Sequence, residues 1–167
     1  TTPIFARHIK KNIKNKNLIC VAPDVGGVER ARSLGRRINA EIAIVDKRRP
    51  APGKSEVMNV VGNVDNKICI IVDDIIDSGG TIVNAVKALK NKGAKDVYVY
   101  ITHAVLSGSA VEKINKSSIK KLIVTDTIDN LDKIKKTPKI VTLSISSLMA
   151  EAIKRISNST SVSDLFK

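Results

Sequence analysis

Asp73 and Asp74 stand side by side, and shortly after them the chain reads Asp77-Ser78-Gly79-Gly80-Thr81. Two chemistries meet in this stretch. A short glycine turn between a strand and a helix leaves backbone N–H groups free to point outward, and the helix dipole favours negative charge there, so residues 77 to 81 suit a phosphate. The two carboxylates would repel that phosphate. They suit sugar hydroxyls, which a carboxylate accepts as hydrogen-bond donors, or a divalent cation bridged by water. Neighbouring residues of a regular strand point to opposite faces, so Asp73 and Asp74 are expected where the strand is ending. A turn or cap is the plainer role for an Asp-Asp pair. The attached Asp-Ser-Gly-Gly-Thr turn argues for the ligand.

The flanking residues supply the elements that such a site needs. Lys67 to Val72 is apolar without alternation after its first residue, the pattern of a strand buried on both faces. From Thr81, the residues Ile82, Val83, Val86, Ala88 and Leu89 recur at helical spacing, and Lys92-Gly93 stops the helix. Upstream, Phe5, Ile9 and Ile13 predict a helix after Thr2-Pro3 ending near Asn15. Leu18 to Ala22 predicts a strand closed by Pro23-Asp24, and Gly26-Gly27 leads into a helix over 28–38. Glu41 to Val45 predicts a strand ending at Asp46-Lys47-Arg48-Arg49-Pro50, and residues 51–55 a mobile loop. Strands follow at 57–61, 97–102, 121–125 and 140–143, with helical segments at 110–114 and 144–156 and a loop at 103–108. Residues 126–138 are polar and lysine-rich.

Strands alternating with helices predict an α/β fold: a mostly parallel open sheet covered by helices on both faces. Ligands of such sheets bind outside the carboxyl ends of the strands. Those ends carry Asp24, Asp46 to Arg49, Asp73-Asp74, His103 and Asp126. By residue type alone, Lys47 to Arg49 fit an ordinary solvated basic loop. His103 fits a hydrogen-bonded strand-end histidine.

The length suits one domain, here residues 1–157 with a serine-rich tail at 158–167, and no repeat or interdomain linker is evident. A formal charge of +13 raises nucleic acid as a partner. Against it, the lysines are scattered and aromatic platforms for bases are nearly absent, with no Trp and only Phe5, Phe166, Tyr98 and Tyr100. A protein handling phosphorylated metabolites explains the charge, and neither nucleic acid nor membrane is expected as a partner. No apolar run is long enough to cross a bilayer, and His8, Lys10, Lys11 and Lys14 break any signal-peptide pattern. Cys20 and Cys69 sit in strand-like apolar runs as reduced core residues, which points to a cytoplasmic location.

Residues 72–81 resemble the phosphoribosyl diphosphate binding motif of the type I phosphoribosyltransferase fold. The stretches 23–32 (Pro-Asp-Val-Gly-Gly-Val-Glu-Arg-Ala-Arg), 46–50 (Asp-Lys-Arg-Arg-Pro), 60–63 (Val-Val-Gly-Asn) and 102–108 (Thr-His-Ala-Val-Leu-Ser-Gly) narrow the resemblance. Together they resemble the carboxyl-terminal half of the ribose-phosphate diphosphokinase family. The resemblance implies transfer of the β,γ-diphosphoryl group of MgATP to the C1 hydroxyl of ribose 5-phosphate, with release of AMP. It implies that Asp77, Ser78, Gly79, Gly80 and Thr81 hold the 5-phosphate and that Asp73 and Asp74 hold the ribose 2- and 3-hydroxyls. It also implies that Asp24 contributes to Mg²⁺ binding, usually through water, and that Lys47 and Arg49 form the catalytic basic pair on a flexible loop.

The resemblance covers nearly all of this chain but about half of the family's pattern. The other, amino-terminal half has a related fold and carries an ATP-binding arginine loop and a metal-binding histidine. A chain opening on Thr1 rather than Met is expected to be a fragment, a processed product or one subunit of a split enzyme. The resemblance implies a homo-oligomer with that half in cis or in trans, and weak or no kinase activity for this half alone. Two other readings compete. A hood segment over its base would support a nucleobase phosphoribosyltransferase, but the sequence shows none, and the Lys-Arg-Arg-Pro stretch argues against it. Loss of Lys47 or of Asp73-Asp74 would favour a non-catalytic synthetase-associated subunit, whereas both are present.

Overall fold

The computed structural model describes residues 1–14, 17–48, 57–135 and 137–166. A seven-stranded sheet runs β3-β2-β1-β4-β5-β6-β7 in space. Its strands are β1 (Leu18–Ala22), β2 (Glu41–Arg48), β3 (Val57–Val61), β4 (Ile68–Ile76), β5 (Asp96–Ala104), β6 (Lys121–Thr125) and β7 (Ile140–Leu143). All neighbours pair in parallel except β2 and β3, which are antiparallel. Helices are α1 (Thr2–Asn12), α2 (Val28–Ile38), α3 (Gly80–Asn91), α4 (Ala110–Lys116), α5 (Leu131–Ile134) and α6 (Ser146–Ser157), with a closing 3₁₀ turn at Ser163–Phe166.

The apolar strands are buried on both faces because helices cover both. On one face, Phe5 and Ile9 of α1 and Ala31, Leu34 and Ile38 of α2 pack on Cys20, Ile70, Val72 and Tyr100. On the other, Ile82, Ala85, Val86 and Leu89 of α3, with Ala110 and Ile114 of α4, pack on Val21, Ala43, Ile71 and Val99. Each fully buried Ile or Leu contributes about 1.5–3 kcal/mol by leaving water. Burial pushes both Cys20 and Cys69 thiols up to about 12, so they stay protonated and inert at neutral pH.

Winding reverses between β1 and β4. From β1 the chain proceeds outward through β2 and β3, and from β4 it proceeds the other way through β5, β6 and β7. That reversal opens a crevice at the carboxyl ends of β1 and β4, the place where an open α/β sheet receives a ligand.

Several boundaries differ from the sequence expectation, each because a partner strand prolongs or limits the element. β2 continues past Val45, because β3 pairs Asp46 with Asn59, Lys47 with Met58 and Arg48 with Val57. Asp46 to Arg48 are thus strand rather than loop. β4 continues past Val72 to Ile76, because β5 pairs Asp73 with Ile101, Ile75 with His103 and Ile76 with Ala104. His103 and Ala104 accordingly close β5. α1 ends at Asn12, where Ile13 turns extended with φ −116°. Ser144 stands outside α6, its Oγ accepting the Ser146 N–H at 3.2 Å. The expected helix end at Asn15, Lys136 and the loop expected at 51–55 lie outside the described residues.

Candidate active site

The site grows from the end of β4. Past Ile71 the strand has lost β1 as a neighbour and keeps only β5. One-sided pairing leaves Asp73 and Asp74 reachable from the crevice although both are still strand residues. Their carboxylates are brought together by a third residue. Arg30, in the first turns of α2, reaches across from the β1 side and donates Nη1–H to Asp73 Oδ1 at 2.6 Å and Nη2–H to Asp74 Oδ2 at 2.8 Å. The Asp74 N–H also donates to Asp73 Oδ1 at 2.9 Å. Asp73 is 18% exposed and Asp74 58%. Burial, above all, pushes the Asp73 carboxyl up to about 6, and the Asp74 charge adds to that. The Asp74 N–H and the Arg30 guanidinium pull the other way.

Beyond Ile76 the chain bends at Asp77-Ser78 and enters α3 through Gly79, whose φ of +75° favours a residue without a Cβ. The first N–H groups of an α-helix have no partner within it, and at α3 no side chain caps them. The turn is braced from behind. The N–H groups of Val105 and Leu106 donate to Ile76 O, Ser107 N–H donates to Asp77 O, and Lys113 Nζ of α4 donates to Ser78 O at 3.2 Å. These contacts hold the far side of the turn and leave its helix side facing the crevice.

The third wall comes from the β1–α2 turn. Asp24 Oδ1 accepts the Gly27 N–H at 2.9 Å, which fixes the carboxylate over the start of α2. A Cβ on Gly27 would come within 3.2 Å of the Pro23 ring, so the turn packs closely at that glycine. A cavity of about 230 Å³ is lined by Asp24, Asp73, Ile75, Ile76, the whole 77–81 turn and Ile82.

Of the residues singled out by sequence, the structure therefore gathers Asp24, Asp73, Asp77, Ser78, Gly79, Gly80 and Thr81 around one cavity, with Asp74 held beside it through Arg30. Lys47 lies at the end of β2, its backbone opposite Met58; its side chain and Arg49 lie outside the described residues. His103 Nδ1 lies 3.0 Å from Thr127 Oγ1, in the strand-end hydrogen bond expected of it. Asp126 accepts the Ile145 N–H at 2.9 Å and is held below the usual carboxylate range by the Ser144 hydroxyl and that N–H, so it serves the entry to α6.

Residues 47–167 match the phosphoribosyl synthetase-associated domain family. The chain belongs to this family. Ribose-phosphate pyrophosphokinase of Brucella melitensis is 56% identical over 164 residues, which cover 98% of this chain and 53% of that protein. The crystal structure of phosphoribosylpyrophosphate synthetase from Mycobacterium smegmatis matches with a TM-score of 0.85 at 33% identity, over 95% of this chain and 51% of that one. A purine phosphoribosyltransferase from Pyrococcus horikoshii, at 22% identity and a TM-score of 0.51 over 63% of this chain and 72% of that one, shares the fold. The chain spans about half the length of the curated relatives it matches.

In this member of the family, sequence reasoning overlooked two cations. Arg30 lies within the Pro23–Arg32 stretch that carries the resemblance, yet no local signal distinguishes it from Arg32, which pairs with Glu29 on the helix surface at 3.1 Å. Lys113 sits among the basic residues of α4 and was indistinguishable from a solvated face. Only the meeting of α2 with β4, and of α4 with the 77–81 turn, singles them out.

Proposed function

We propose that this chain is the ribose 5-phosphate-binding half of a ribose-phosphate diphosphokinase. The observation that carries this reading is the single cavity shared by a half-buried carboxylate, a glycine turn at a helix N-terminus and Asp24. A phosphorylated sugar needs both kinds of wall: N–H donors for its phosphate and carboxylate acceptors for its hydroxyls. The 77–81 turn receives the 5-phosphate through backbone N–H groups and the Ser78 and Thr81 hydroxyls. Asp73 and Asp74 receive the ribose 2- and 3-hydroxyls.

In the reaction, the C1 oxygen of ribose 5-phosphate bonds to the β-phosphorus of ATP as the bond from that phosphorus to the α,β-bridging oxygen breaks. AMP leaves with that oxygen, and the C1 hydroxyl gives up its proton. Such transfers gain chiefly from positioning and charge neutralisation, the part that Lys47 and Arg49 play at the ATP phosphates. Mg²⁺ neutralises diphosphate charge when bound. Asp24 fits it as one carboxylate acting through water, because Mg²⁺ keeps several waters and takes few protein ligands beside substrate phosphates.

ATP binding, full activity and assembly into a homo-oligomer depend on an amino-terminal half, in cis or in trans. Two buried, protonated thiols suit a cytoplasmic enzyme, and no described helix is long and apolar enough to cross a membrane. Calorimetric titration of the chain with ribose 5-phosphate tests the sugar site, and binding is expected. Adding a separately made amino-terminal half with MgATP is expected to yield AMP that depends on ribose 5-phosphate. A folded mixture that makes none refutes the diphosphokinase reading.

A further inference from the structure

The Arg30 fork spans the crevice in a way that the fold alone does not require. Its two nitrogens reach one oxygen of each carboxylate, Asp73 Oδ1 and Asp74 Oδ2. The Asp74 N–H shares Asp73 Oδ1. That leaves the second oxygen of each carboxylate to accept another donor. The Asp74 arm is exposed, with Asp74 58% accessible, and adds little to stability, whereas the Asp73 arm is partly buried, with Asp73 18% accessible. The planar guanidinium does supply geometry, because its donors are fixed relative to one another, whereas a lysine is a rotatable point charge. It also solves a local problem. Adjacent strand residues diverge and adjacent carboxylates repel, and one cation between them draws both toward the same side.

We propose that Arg30 is the positioning residue for the ribose end of the site: by holding one oxygen of Asp73 and one of Asp74, it fixes the other two as paired acceptors for neighbouring hydroxyls of a furanose. This rests on the ribose 5-phosphate reading above. Arg30 makes no contact with the 77–81 turn among the described hydrogen bonds and ion pairs, so its influence falls on the sugar rather than on the phosphate.

The test is calorimetric titration of the wild-type chain, Arg30→Lys and Arg30→Gln with ribose 5-phosphate and, separately, with inorganic phosphate. Thermal melts check that each variant folds. Arg30→Lys keeps the charge and loses the fork. It is expected to bind inorganic phosphate as the wild type does and ribose 5-phosphate on the order of tenfold more weakly. Arg30→Gln, with neither charge nor fork, is expected to bind ribose 5-phosphate more weakly still. Should Arg30→Gln fail to fold, Arg30→Lys carries the test.

Unchanged or tighter ribose 5-phosphate binding by Arg30→Lys overturns the proposal, tighter binding showing that Arg30 competes with the sugar. An equal loss of both ligands also overturns it, because that is a general disturbance of the site. A wild-type chain that binds inorganic phosphate but gains nothing from the ribose refutes the sugar reading itself, a different outcome from either of these.

Discussion

The two ends of the cavity are built by opposite means. The 77–81 turn is mainly backbone, with free N–H groups at the start of α3, a left-handed Gly79 and bracing hydrogen bonds to carbonyls on its far side. The Asp73-Asp74 end is made of side chains, two carboxylates held by one guanidinium from another helix. A backbone site keeps its donors whatever the pH and depends on conformation. A side-chain site depends on protonation and on one partner's geometry. The contrast teaches that the phosphate end should break through the main chain and the acid end through charge.

The harshest break is Gly79→Val. A β-branched residue at φ +75° is strained by about 1–3 kcal/mol or more, and the turn either shifts or destabilises the fold. Binding of ribose 5-phosphate and inorganic phosphate should both disappear in calorimetry, with a lower melting temperature. Retained phosphate binding would show that the turn is not the phosphate end.

Asp73→Asn comes next and should separate the ends. Replacing a charged acceptor by a neutral amide is expected to cost about 1.5–3 kcal/mol of ribose 5-phosphate affinity, while inorganic phosphate, relieved of a nearby negative charge in the same cavity, binds at least as tightly as before. Lys113→Met should be milder. Losing the brace on Ser78 O loosens the turn, so both ligands should weaken together, by about 0.5–1.5 kcal/mol. A sugar-selective loss in that variant would contradict the division of labour.

The smallest effect is on pH dependence. Asp73 has a folded value of about 6, raised from 3.8 by burial first and by Asp74, against the pull of Arg30. A carboxyl raised in the folded state adds stability fully below its unfolded value and loses it as pH rises through the folded value. Ribose binding needs the ionised form and moves the opposite way. Between about pH 4 and 6, thermal melts should therefore show the wild type losing stability relative to Asp73→Asn as pH rises. Over the same window its affinity advantage for ribose 5-phosphate should grow. Comparing the two proteins at each pH cancels the ligand's own titration.

Much of the architecture was legible locally. The ranges of β1 and β6 follow directly from apolar runs, because strands buried on both faces leave a continuous apolar signature, and those of α2, β3 and β7 from their apolar spacing and turn residues. The 77–81 turn was legible from its local residues: Ser-Gly-Gly-Thr between a strand and an amphipathic run specifies its own backbone. The lengths of β2 and β4 were not, since Asp46–Arg48 and Asp73–Ile76 are polar or mixed and become strand only through pairing with β3 and β5. The acidic pair was expected at a strand end because neighbouring strand residues diverge. The structure keeps it in the strand, freed on one side by the end of β1 and drawn together by Arg30.

By itself, then, the sequence determined the α/β alternation, the glycine turn between a strand and a helix, and the family resemblance, each carried by residues close along the chain. Tertiary structure alone decided that winding reverses between β1 and β4, that Asp24 and Asp73 share a cavity with the turn, and that Arg30 rather than Arg32 reaches the carboxylates. Those facts depend on which elements become neighbours. A charged side chain has no local preference for one distant partner over another until the packed core has set the distance between them.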